Sequence, residues 1–233
     1  MYIKYATATF GLLASILAPI VSAAPTPQDT TQPQSTVHII AARGTNQDPG
    51  PGSLKQVAKI IAKQVSNTTT TGVDYPATRD NPPYSASVHT GAVNLQNLIR
   101  QAVAADSTAS IVLLGYSQGA QVVGDAICGS SSPGSKATIA LAQRYQSHIK
   151  AVVWMGDPSH NSSQTFVTGG GYDGGVNARR SNIACQGFSG KLISYCLNGD
   201  VYCDSGKNAS AHTSYMSTYT QQAADWVVGK LEQ

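Results

Sequence analysis

The chain has 233 residues, 41% of them hydrophobic and only 12% charged, with a formal net charge of +3. That length suits one domain with a sizeable core. The mild charge balance has no basic stripe to suggest a nucleic-acid partner, and no second hydrophobic span suggests a membrane partner.

The first residues read as a signal peptide, with Lys4 supplying positive charge, a mostly apolar stretch over 10–21, and small residues at Val21, Ser22 and Ala23 for cleavage. Gly11, Ser15 and Pro19 interrupt the apolar stretch too much for a transmembrane span. Cleavage is expected after Ala23, giving a secreted, extracellular protein. Residues 24–36, where Pro25, Pro27 and Pro33 sit among Gln, Thr and Ser, read as a linker that cannot bury enough apolar surface to order itself. The folded domain is then 37–233.

Residues 37–42 are an aliphatic run and predict the first strand. Leu54, Val57, Ala58, Ile61 and Val65 recur at helical spacing, so an amphipathic helix should follow and end near Asn67. Residues 72–75 read as a short strand stopped by Pro76. After a turn-rich stretch over 79–83, the spacing of Val88, Ala92, Leu95, Ile99, Ala102 and Val103 predicts a long helix. A strand into 116, a helix from 118, a helical patch over 137–146 and a strand over 151–156 come next. Residues 159–189 are rich in Gly and Asn and read as a long surface excursion. The last strand covers 191–195. Tyr215, Tyr219, Ala223, Trp226 and Val227 mark one face of a closing helix. Strands alternating with helices imply a mainly parallel sheet covered on both faces.

The most informative stretch is Ile-Val-Leu-Leu-Gly-Tyr-Ser-Gln-Gly over 111–119. An apolar run enters G-x-S-x-G and leaves as a helix, which places Ser117 at the apex of a strand–turn–helix. Gly115 and Gly119 are needed there because no side chain fits where strand and helix backbones approach. A serine so presented at the carboxyl end of a sheet is a nucleophile candidate. It needs a base, and the base needs a carboxylate to fix its tautomer. Of five histidines, His38 lies within the first strand, His89 opens the long helix and His148 precedes a strand at its amino end, so all three are structural or solvent-facing. His212, after the last strand and before the closing helix, is the base. His160, which follows a strand at the correct end, is the alternative. The acid is Asp200, on the loop after the last strand, with Asp204 and then Asp157 as alternatives. The oxyanion donors are the backbone N–H of Gln118 and Thr45, in the Arg-Gly-Thr turn after the first strand. Arg43 is expected to be a structural ion-pair partner.

Cys128, Cys185, Cys196 and Cys203 are an even set in an oxidising compartment and predict two disulfides. Cys196 and Cys203 enclose a short loop, which pairs them and leaves Cys128 with Cys185; that short ring would clamp Asp200. No C-x-x-C or clustered His supports a metal site, and no cofactor is expected. Secretion makes the sequons at Asn67, Asn161 and Asn208 glycosylation candidates.

Together these motifs resemble one family, the small secreted fungal cutinases and acetylxylan esterases. Ala-Arg-Gly-Thr at 42–45, Gly-Tyr-Ser-Gln-Gly at 115–119, a Cys-(six residues)-Cys at 196–203 carrying Gly-Asp-x-x-Cys, and a His before the final helix stand in that order, over about 37–231. The resemblance implies a three-layer α/β sandwich with a five-stranded parallel sheet and no lid. It also implies Ser117, Asp200 and His212 as triad, with Thr45 and Gln118 as oxyanion hole. Met-Gly-Asp-Pro at 155–158, Ser-Tyr-Cys at 194–196 and Asn-Ala-Ser-Ala-His at 208–212 look closer to the acetylxylan esterases. The polar segment 204–208 suits a hydrated polysaccharide better than a waxy chain. Tyr202 is placed either to stack on a sugar ring or to cover the disulfide. The leading expectation is therefore a monomeric secreted esterase acting on acetylated xylan. The alternatives are a cutinase or general short-chain esterase and, from another class, an inactive wall-binding protein on the same fold.

Overall fold

Parallel pairing of aliphatic runs with their intervening helices organises the molecule. The computed structural model describes residues 1–4 and 36–233; apart from Met1 to Lys4 and Thr36, the expected leader and linker lie outside the described residues. The strands are β1 (Val37–Ala42), β2 (Thr68–Gly72), β3 (Ser110–Tyr116), β4 (Ile149–Met155), β5 (Val167–Thr168) and β6 (Leu192–Tyr195). They form one all-parallel sheet in the order β2-β1-β3-β4-β6-β5. The helices are α1 (Lys55–Gln64), α2 (Tyr84–Ala105), α3 (Gln118–Cys128), α4 (Ile183–Gln186), α5 (Ala209–Thr213) and α6 (Tyr215–Leu231).

The side-chain alternation of a strand explains why β3 is apolar throughout. Ile111 and Leu113 pack with Val88, Leu95 and Ile99 of α2 and with Val122 and Ala126 of α3. Val112 and Leu114 point the other way and pack with Val57 and Ile61 of α1 and Val227 of α6. Helices therefore cover both faces, and the run reads as continuous because neither face meets water. Each aliphatic side chain so buried contributes about 1.5–3 kcal/mol.

Three expectations are corrected. A sixth strand, β5, lies inside the stretch read as a surface excursion and pairs through Val167↔Ser194 and Thr168↔Tyr195; two residues are too short to carry a period. That stretch is also rooted in the core, since Arg179 is 1% exposed and its guanidinium pairs with Asp125 of α3. Burial pushes the Asp125 carboxyl up despite the opposing pull of Arg179. Second, the strand expected over 72–75 is instead β2, built from Thr68 to Thr71 on the sheet edge. Its outward Thr side chains give no apolar alternation, whereas the apolar Val73 and Tyr75 are buried in the following loop. Third, the helical patch at 137–146 is loop with a single turn at Gln143–Tyr145. Its backbone groups bond to neighbours instead of to themselves: Leu141 N–H donates to Ala126 O at 3.0 Å and Ile139 O accepts from Gln96 Nε2 at 2.8 Å.

Candidate active site

The register Ala42↔Gly115, Tyr116↔Met155 and Met155↔Tyr195 aligns the carboxyl ends of β1, β3, β4 and β6. Their following loops meet at one edge. At the β3–α3 turn Ser117 has φ 53° and ψ −122°, a conformation that costs a non-glycine residue about 1–3 kcal/mol and persists only where its surroundings impose it. The surroundings do so. A Cβ on Gly115 would stand 2.6 Å from Ala120 Cα, and one on Gly119 would run into the Ala42 carbonyl. Ser117 N–H is fixed by Met155 O at 2.8 Å.

Ser117 Oγ lies 2.9 Å from His212 Nε2. His212 Nδ1 lies 3.0 and 2.9 Å from the two oxygens of Asp200. An ionised carboxylate only accepts, so Nδ1 carries the proton and Nε2 is left to accept from the serine hydroxyl. His212 sits on the short helix α5, whose first turn is capped by Asn208 Oδ1 accepting from Ala211 N–H at 3.1 Å. At the other end Tyr116 OH donates to His212 O at 2.9 Å and its ring stacks on the imidazole, 5.6 Å between centroids. Asp200 is fully buried and accepts from Tyr202 N–H at 2.7 Å, Cys203 N–H at 3.3 Å and Tyr215 OH at 2.7 Å. Burial alone would raise its pKa, but the bonds from His212, Tyr215 and Tyr202 outweigh it and hold the carboxyl below the usual 3.8. The loop that carries it is closed by the Cys196–Cys203 disulfide, and Cys128 is joined to Cys185.

The other candidates are committed elsewhere. Asp204 accepts from Gly199 N–H and Asp173 N–H, and Asp157 from Ser159 N–H and Oγ. The buried His160 has Nδ1 at 2.8 Å from Cys203 O. Arg43 is structural, but its role differs from the expected ion pair: its guanidinium donates to the carbonyls of Gln47, Val73 and Tyr75. Those carbonyls terminate no helix and belong to the loops after β1 and β2, so Arg43 ties the two loops together.

Thr45, half-buried, lines the cleft beside Ser117. Gln118 opens α3, where backbone N–H groups have no intrahelical acceptor. Its side chain faces away, Nε2 donating to Thr78 O at 2.8 Å and Oε1 accepting from Ser87 Oγ at 3.0 Å. Tyr202 is 38% exposed at the cleft rim, its ring edge-on to His212 at 4.5 Å. The cleft encloses about 570 Å³ and also takes in Asn177, Val176 and Arg79. Among the described residues no group of three or more His, Cys, Asp or Glu is arranged to hold a metal ion. Of the sequons, Asn208 is exposed at the α5 cap and Asn67 is exposed near β2, whereas Asn161 is half-buried with its amide on Arg179 O.

Two contributors escaped sequence reasoning. Tyr116 occupies the variable position of the G-x-S-x-G motif, and nothing in the motif marks it. Tyr215 reads as an apolar helix-face residue. A buried tyrosine hydroxyl needs a partner, but only the fold reveals that the partner is Asp200.

Residues 33–231 match the family model described as Cutinase. An acetylxylan esterase 2 of Talaromyces purpureogenus is 30% identical over 203 residues, covering 84% of this chain and 86% of its own. A cutinase 11 of Verticillium dahliae is 31% identical, covering 84% of this chain and 69% of its own. The solved catalytic core domain of the acetyl xylan esterase from Trichoderma reesei superposes with a TM-score of 0.78 at 29% identity, covering 84% of this chain and 98% of that one.

Proposed function

The chain belongs to the cutinase family of carboxylic-ester hydrolases, and we propose that within it this protein is a secreted, monomeric acetylxylan esterase. The observation that carries the reading is the continuous hydrogen-bond chain from Ser117 Oγ through His212 to Asp200, opening directly into a cleft. Ser117 attacks the ester carbonyl while His212 Nε2 takes its proton. The oxyanion forms toward Thr45 and the Gln118 N–H, each donor of this kind typically contributing about 2.7–4 kcal/mol. Buried Asp200 stabilises the imidazolium, which then protonates the departing sugar hydroxyl. Water, activated by the same His212, attacks the acetyl-enzyme and releases acetate.

The substrate assignment is supported by the cleft's side chains. Thr45, Asn46 and Asn177 offer hydrogen-bonding groups to a sugar, and Tyr202 offers an exposed ring. The acetylxylan esterases named above match at about the same level as the cutinase, so similarity alone does not rank them. A second reading, a cutinase or general short-chain esterase, is favoured by Val176, which is 53% exposed in the same cleft beside Pro158. An inactive wall-binding protein would have no use for the assembled chain.

The deciding experiment measures p-nitrophenyl esters of increasing chain length beside acetate release from acetylated xylan. Activity should peak at acetate and lose about 1–3 kcal/mol of transition-state binding once added methylenes no longer fit. A preference for butyrate or longer, with hydroxy fatty acids released from cutin, transfers the protein to the second reading.

A further inference from the structure

We propose that Arg79 makes this cleft a receptor for esters bearing an anionic group, a carboxylate or a phosphate, beside the acyl group to be removed. The inference rests on the reading of Ser117 as nucleophile and goes beyond it to what lies next to the ester. Apart from His212, Arg79 is the only ionisable acid or base of the Asp, Glu, Lys and Arg kind among the residues lining the cleft. A single cationic side chain on the cleft wall attracts an anionic group on an incoming substrate.

Among the described residues no ion pair or side-chain hydrogen bond engages that charge. Among the described residues the ion pairs join Arg179 to Asp125 and Asp157, and His212 to Asp200. Arg43 binds backbone carbonyls, Arg100 binds Asn97 and Gln96, and Arg144 lies over Tyr145. The Arg79 side chain is exposed and has no such contact.

Its position is nevertheless fixed from the reaction centre outward. The carbonyl of the preceding Thr78 accepts from Gln118 Nε2 at 2.8 Å, and Thr78 N–H donates to Ser87 Oγ at 3.2 Å. Ala77 O accepts from Asn46 N–H at 2.8 Å, next to Thr45, and Arg79 O accepts from Tyr84 N–H at 2.9 Å. The backbone that presents the guanidinium is thus bonded to both segments proposed to hold the oxyanion. A planar guanidinium offers paired donors that match a carboxylate or phosphate, and the charge-assisted strength of those bonds is not available from a neutral acetyl sugar.

The test uses the full chain with Arg79→Gln, Arg79→Lys and Arg79→Glu, each checked for unchanged thermal unfolding, and two substrate pairs. The first pair is acetylated xylan carrying uronic-acid side groups and the same polymer with its carboxylates reduced to alcohols. The second is diacetylglycerol and its phosphate monoester. The wild-type protein should favour the anionic member of at least one pair, and less so as ionic strength rises. Arg79→Gln should lower the anionic-to-neutral ratio of kcat/KM by roughly three- to tenfold, mainly through KM, the range of a partly exposed charge-assisted contact. Arg79→Glu should lower it further, and Arg79→Lys should retain part of it. An effect in the polymer pair alone identifies the carboxylate, and one in the glycerol pair alone identifies the phosphate. Equal rates within both pairs for the wild type, or an equal loss on both members in Arg79→Gln, overturn the proposal. If neither polymer releases acetate while p-nitrophenyl acetate is cleaved, the acetylxylan reading fails and the glycerol pair still decides the role of Arg79.

Discussion

Replacing Tyr215 by Phe removes one oxygen from the interior and probes how Asp200 is held. The phenol lies wholly buried, donates to Asp200 Oδ2 at 2.7 Å and accepts from Leu197 N–H at 2.9 Å. Burial first, and then the Asp200 carboxylate, push its own ionisation far above the ordinary tyrosine range, so it remains a donor at every working pH. The substitution keeps the ring against Tyr116 and Tyr219. It loses one hydrogen bond to a charged group, about 1.5–3 kcal/mol, and one neutral bond, about 0.5–1.5 kcal/mol. Relief from burying the hydroxyl offsets part of this, leaving a net loss of about 2 kcal/mol at pH 7, or roughly 4–8 °C in Tm for a domain of this size. Because the carboxyl is held below 3.8 in the folded protein, the stability it confers is complete above that value and disappears as pH falls through the lower, folded-state value. Tyr215 supports the charged form, so removing it raises the folded-state value toward 3.8. The gap in unfolding free energy between the wild type and Tyr215→Phe should therefore be full at pH 7 and shrink as pH falls below 3.8. Asp200 keeps the N–H bonds of Tyr202 and Cys203, so kcat on p-nitrophenyl acetate should fall only about three- to thirtyfold. Urea unfolding at a series of pH values measures the gap. A loss that stays constant as pH is lowered from 7 through the whole acid range in which the protein remains folded would show that Tyr215 acts by packing alone and refute the electrostatic account.

Ser117→Ala and His212→Ala should each lower kcat by several orders of magnitude without unfolding the protein, and the double variant should be little worse than either. Asp200→Asn should be milder but still severe; steady-state kinetics on p-nitrophenyl acetate with circular dichroism checks all four, and near-normal turnover in His212→Ala refutes the assignment. The two disulfides should separate stability from activity. Removing the Cys128–Cys185 bridge, whose cysteines are 57 residues apart, should cost about 4 kcal/mol on the chain-entropy estimate and spare much of kcat. Removing Cys196–Cys203, with a separation of 7, should cost about 2 kcal/mol but reduce kcat sharply because Asp200 lies inside that ring; denaturant unfolding beside kinetics tests both.

The amino-acid order alone determined the features that depend on neighbours in the chain. The run into Gly115-Tyr116-Ser117-Gln118-Gly119 dictated strand, turn and helix, because aliphatic side chains need burial on both faces and two positions there admit no Cβ. The order of Ser117, Asp200 and His212 along the chain, and the short spacing of Cys196 and Cys203, pointed to the site without any knowledge of contacts. What the sequence left open depends on groups far apart in the chain. The edge strand β5 carries two residues and no period, so its existence is decided by the free edge of β6. Residues 137–146 have helical spacing but lie where α2 and α3 already offer acceptors and donors, and tertiary hydrogen bonds displaced the local ones. The partners of Arg43 are carbonyls of two loops that meet only when β1 and β2 pair. Tyr116 and Tyr215 hold His212 and Asp200 through hydroxyls whose partners lie 96 and 15 residues away. Propensity and motif are local and can be read in order, whereas a buried polar group's partner is set by which surfaces the fold brings together.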